Sequence, residues 1–122
     1  MSRMTYDEIV DSLSNEEVFT NKEAQLVYLD FLIKVERFID KEMHRFSVSH
    51  FFLFVGHKDV IQYGPDASPK FCGFGIASGV SFLFMWITDG QGGIEKEVKG
   101  SMDEVVKIFP EFLAKYEELT DV

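Results

Sequence analysis

Apolar and polar positions along the chain fall into three regimes. From the N-terminus to about residue 43 the apolar residues recur at helical spacing. Ile9, Val10 and Leu13 predict a short helix over residues 5–13. Tyr28, Phe31, Leu32, Val35, Phe38, Ile39 and Met43, widened by Leu26, Leu29 and Ile33, predict a long one over 22–43. A helix apolar around more than half its girth is covered on two sides, here by the sheet and the short helix. Residues 14–20 between them read as a tight turn or a helical fragment.

From Ser47 to Lys99 the pattern changes to strands, over 48–56, 59–63, 71–77, 80–88 and 94–99. The connections are short, which favours antiparallel neighbours and a five-stranded meander. Gly64-Pro65-Asp66 and Ser68-Pro69 break the chain between strands. The last regime is helical again after Ser101, with Val105, Phe109, Phe112, Tyr116 and Leu119 as its stripe and Pro110 as a kink or a split. Helix starts carry capping-box spacing at Thr5/Glu8, Ser14/Glu17, Thr20/Glu23 and Ser101/Glu104. The expectation is one α+β domain over 1–122: two N-terminal helices, one long, a five-stranded antiparallel meander, and a C-terminal helix packed on the sheet.

One strand departs from the alternation of a half-exposed sheet. "VSFLFMWI", residues 80–87, has seven apolar residues in eight. A two-residue turn at Ser78-Gly79 would pair Ala77 with Val80, Gly75 with Phe82, Gly73 with Phe84 and Phe71 with Trp86. Two glycines then face two phenylalanines. Either the rings shield the bare backbone, or Gly73 and Gly75 leave a trough walled by Phe82, Phe84 and Trp86. The protein's own helix, a second protein chain or an apolar ligand would fill such a trough. Strand 94–99 differs: Glu95, Glu97 and Lys99 alternate with Ile94, Lys96 and Val98, so one of its faces is solvated.

Composition sharpens this picture at a few points. Thirteen Phe in 122 residues imply an aromatic core. The net charge is −9, and it is unevenly placed. Residues 1–44 carry ten acids and five bases, residues 45–93 three of each, and residues 94–122 eight acids and four bases. Such a chain repels nucleic acid and anionic lipid, which need clustered Lys and Arg, and it attracts a basic protein. No apolar run reaches transmembrane length, and the N-terminus has no secretory h-region. With a single cysteine, Cys72, the expected location is the cytoplasm.

Catalytic chemistry is thin. Glu36, Asp40 and His44 lie four apart, a spacing with which one helix edge can present ligands. A metal needs further ligands that the sequence does not place, so no metal and no cofactor is expected. Cys72 has no neighbour to activate a thiol, and "GFG" at 73–75 sits in a strand without the Lys and helix of a phosphate loop.

The expectation is therefore a non-catalytic, protein-binding module, in particular a stoichiometric inhibitor of the immunity or anti-defence type. Its contact residues would be Phe82, Phe84 and Trp86, or the acids Glu16, Glu17, Glu36 and Asp40. The alternative is a small-molecule site over Gly73 and Gly75, with His50, His57 and Tyr63 as polar groups. A homodimer through the aromatic face is compatible with either.

Overall fold

The structure, a computed structural model, describes residues 3–49, 51–59, 73–79, 81–89 and 93–120. Helix α1 is Tyr6–Asn15, α2 is Lys22–Val35 and α3 is Met102–Thr120, with a 3-10 turn at Glu36–Phe38. The strands are β1 His44–Ser49, β2 Phe52–His57, β3 Phe74–Ser78, β4 Leu83–Thr88 and β5 Ile94–Gly100. They pair antiparallel in the order β1-β2-β3-β4-β5, the expected meander. The architecture is α+β, with α3 packed back on the sheet.

Local chemistry sets the helix starts. Thr5 and Glu8 close a reciprocal capping box on α1, and Ser101 and Glu104 exchange hydrogen bonds ahead of α3. The α2 start differs from expectation. Asn21, not Thr20, is the N-cap, its side chain accepting from the N–H groups of Glu23 and Ala24. Ser14 and Glu17 start no helix. The connector from α1 to α2 is irregular and is organised by a buried amide: Gln25 Oε1 accepts from the N–H of Val18 and of Phe19, and its Nε2 donates to the carbonyls of Leu13 and Glu16.

The long helix ends at Val35, eight residues before the expected Met43. Past Val35 the chain tightens into the 3-10 turn, and beyond it the Asp40 carboxylate accepts from the N–H of Glu42 (3.0 Å) and Met43 (3.3 Å), a local turn that competes with helix over 40–43. Leu26 and Ile33 are exposed, so α2 is covered around less of its girth than expected. Helix α3 continues through Pro110 as one element.

The expected single strand at 48–56 is two strands with a turn at Phe51, and the expected strand at 59–63 lies almost wholly outside the described residues. All three helices pack on one face of the sheet. Phe46, Leu53, Val55, Phe74, Ile76, Leu83, Met85 and Ile87 point into them. Phe74 sits at the centre, with ring centroids 5.6 Å from Phe109, 6.1 Å from Phe112 and 6.0 Å from Tyr116. The buried tyrosines each hand their hydroxyl to backbone. Tyr28 Oη donates to the Phe51 carbonyl (2.6 Å) and accepts from Ser78 N–H (3.0 Å), tying the β1–β2 turn to the end of β3.

Candidate functional site

Strand β4 answers its own composition. Leu83, Met85 and Ile87 are buried under the helices, while Phe84 and Trp86 stand on the opposite face. The register there is Ala77 with Phe84 and Gly75 with Trp86. The two-residue turn is thus overturned: Ser78 pairs with Leu83, and Gly75 meets Trp86 where Phe82 was expected. Gly73 lies beside Thr88, whose hydroxyl accepts from Gly73 N–H at 2.7 Å, and not beside Phe84. The expected pairings of Val80 and Phe71 involve residues outside the described ones.

The trough over the glycines is filled from within. A Cβ on Gly75 would stand 2.4 Å from Trp86 Cζ2, so the indole lies directly on that bare backbone. Phe82 does the same for Gly79, where a Cβ would meet its ring at 2.4 Å, and Lys99 Nζ lies 4.2 Å from the Phe82 ring centroid. From β2, Phe52 and Phe54 project onto the same face. Trp86 meets both edge-to-face, at 5.4 Å and 6.2 Å, and stacks on Phe84 at 5.6 Å.

An irregularity at Ile87/Thr88 in the β4–β5 pairing brings Ile94 to this face. Ile94, Phe52, Ala77, Phe84 and Trp86 line a shallow apolar depression of about 230 Å³. Among the described residues, no helix packs on this face. Phe52, Phe54 and Ile94 were missed in the sequence. The i, i+2 spacing of Phe52 and Phe54 was the available signal, hidden within the continuous apolar run of β2.

The acids named from sequence sit elsewhere. Glu36 is paired with Lys41 at 2.9 Å, and Asp40 is occupied by its turn. Glu16 and Glu17 are exposed on the α1–α2 connector, where with Leu13, Lys22 and Leu26 they line a groove of about 330 Å³. This groove is larger than the depression, and its lining mixes apolar and polar surface. Lys41 also reaches Asp7 (3.5 Å), and these acidic neighbours hold its ammonium above the usual lysine range, the Glu36 hydrogen bond leading. All four acids belong to the helical side, so they share no surface with Phe84 and Trp86.

The histidines do not serve the glycines either. His57 is on the helical face of the sheet, opposite Gly75, and pairs across the strands with His44. Asp40 N–H donates to His44 Nδ1 (2.9 Å), which leaves His44 Nε2 to donate to Glu117 Oε1 (3.1 Å). Asp59 N–H donates in the same way to His57 Nδ1 (3.2 Å). His44 opens β1, so the expected Glu36/Asp40/His44 helical row does not form. His50, Tyr63 and Cys72 lie outside the described residues. Among the described residues no three His, Cys, Asp or Glu side chains gather into a metal-binding set, and no helix is long and apolar enough to cross a membrane. No protein-family model, no curated protein and no solved structure matches the chain.

Proposed function

We propose that this protein is a non-catalytic docking module and that another polypeptide sits on the outer aromatic face of its sheet. The observation that carries this is the packed group Phe52, Phe54, Phe84 and Trp86, with Ile94, on a face that no described helix covers. Contiguous apolar surface of this kind marks contact sites, and aromatic residues supply most of the energy in such contacts. The rings are already locked against each other and against Gly75, so docking costs little side-chain entropy.

A small-molecule site fits less well. The depression is about 230 Å³, and its lining of Phe52, Ala77, Phe84, Trp86 and Ile94 has no polar side-chain group besides the Trp86 indole N–H. Ligand pockets are roughly 300–1,000 Å³ and include a few polar groups that orient the ligand. An inhibitor of the immunity or anti-defence type is the form the module takes with a basic partner. The net charge of −9 then draws the partner in, and the rings hold it.

The test is site-specific photo-crosslinking in the native cells. Benzoylphenylalanine replaces Phe84 in the full chain, with Glu111 on the exposed side of α3 as the control position. A covalent adduct to a polypeptide from position 84 and none from 111 is expected. No adduct from 84, or equal adducts from both, rejects the proposal.

A further inference from the structure

We infer that the outward side of the α1–α2 pair is a second docking surface, and that its occupant is a basic amphipathic helix of another polypeptide. This surface lies on the helical side of the sheet, away from the aromatic face, and its occupation does not depend on that face. Leu26, Leu29 and Ile33 fall at i, i+3 and i+7 on α2, so they form one stripe about 10 Å long. Leu26 is 63 % and Ile33 55 % exposed, and Leu29 between them is half-buried. Among the described residues, α1 and α3 leave no large hydrophobic side chain exposed, so the stripe is particular to α2.

At its N-terminal end the stripe runs into the groove beside α1. Leu26 shares that lining with Leu13 of α1 and with Glu16 and Glu17 of the connector. An apolar row on a helix, beside the groove it forms with a neighbour, is a seat for a third helix, whose own apolar stripe enters at the same spacing.

Charge selects the occupant. From Tyr6, the start of α1, to Glu36, the C-cap of α2, the chain carries eight acids and two bases, a net −6 of its total −9. The acids flank the stripe. By helical spacing Glu23 and Asp30 neighbour Leu26, at i−3 and i+4, while Glu16 and Glu17 line the groove at its end. Asp30 is paired with Lys34 at 2.7 Å, but Glu16, Glu17 and Glu23 have no ion-pair partner among the described residues. Against them the groove wall sets Lys22. A helix with aliphatic residues on one side and Lys or Arg beside them meets both the stripe and its acidic border. A second copy of this hairpin, nucleic acid or anionic lipid would bring further negative charge and be repelled.

Isothermal titration calorimetry of the full chain tests this, with an unlabelled synthetic helix of about 15 residues built from Leu at helical spacing and Lys elsewhere. Saturable binding that weakens as salt rises is expected. Leu26→Gln combined with Ile33→Gln changes two exposed sites and no charge, and it should weaken binding about tenfold with a native circular dichroism spectrum. Trp86 emission should stay unchanged as the peptide binds, because the indole stands on the other face. No binding at up to about 500 μM peptide, far above micromolar dissociation, overturns the inference. So does binding that the double variant leaves undiminished, equal binding of a Leu/Glu helix of the same pattern, or a shift in Trp86 emission. Crosslinking from position 84 reports the aromatic face alone, so the two proposals fail separately.

Discussion

Trp86 lies on Gly75: the indole occupies the space that any Cβ at position 75 would need, with Cζ2 only 2.4 Å from it. The pair shields the backbone of β3 and fixes the central ring of the outer face. Gly75→Ala should therefore push the indole off the sheet. A red shift of Trp86 emission and a stability loss of about 1–3 kcal/mol in urea titration are expected. Trp86 is the chain's one tryptophan, so emission reports this site alone. Unchanged emission and stability would place the indole elsewhere.

Tyr28 joins two turns through one hydroxyl, and Tyr28→Phe leaves the Phe51 carbonyl and the Ser78 N–H without it. A loss of about 1–3 kcal/mol follows. Burial pushes the Tyr28 phenol above its ordinary value near 10. The folded state thus holds this proton more tightly than the unfolded chain. Its contribution is fully present below pH ~10 and is lost as pH rises through the folded value. Urea titrations across pH 9–12 should show a steeper alkaline decline in the native protein than in Tyr28→Phe.

Gln25 uses all four of its amide hydrogen-bonding positions inside the α1–α2 connector. Gln25→Ala should cost about 2–4 kcal/mol, because the Val18 and Phe19 N–H groups lose their acceptor where water has little access. Amide exchange at Val18 and Phe19 should accelerate by more than at Leu53. Equal acceleration at all three would mean global destabilisation and no organising role.

Glu8 titrates at the start of α1. The Thr5 backbone N–H, followed by the Thr5 hydroxyl, holds its carboxyl below the usual range. Its support for α1 is present above the unfolded value near 4.3 and fades as pH falls through the lower folded value. The Thr5 amide resonance should shift along that titration, and in Glu8→Gln the shift should vanish.

The sequence made the sheet's two faces legible but not its register. Moving the partner of Gly75 from Phe82 to Trp86 is a shift of four residues, an even number, so every β4 side chain keeps its face. The loop length was hidden because Ser78-Gly79 satisfies a tight turn, whereas Gly79 N–H in fact donates to the Phe82 carbonyl (2.8 Å). The helix end at Val35 was masked by apolar residues that continue at helical spacing beyond it, while the Asp40 turn is a local competition that spacing does not register. The β1–β2 turn was lost because polar Ser49 and His50 lead straight into the apolar run 51–55, with no Gly or Pro to mark a break. Gln25 looked like any polar position on a helix, since an amide's partners lie 6 to 12 residues away. That the rings and the acids lie on different sides of the sheet was not legible for a simpler reason: composition places charges along the chain and says nothing about which side of the sheet receives them.

Acrylamide quenching of Trp86 tests the docking face most directly. In the purified chain the indole should be readily quenched, and in the complex captured through position 84 quenching should fall as the bound polypeptide covers the face. An indole resistant in the free chain would mean that the face is never open. An indole equally quenched in the free chain and in the complex would mean that the contact lies elsewhere.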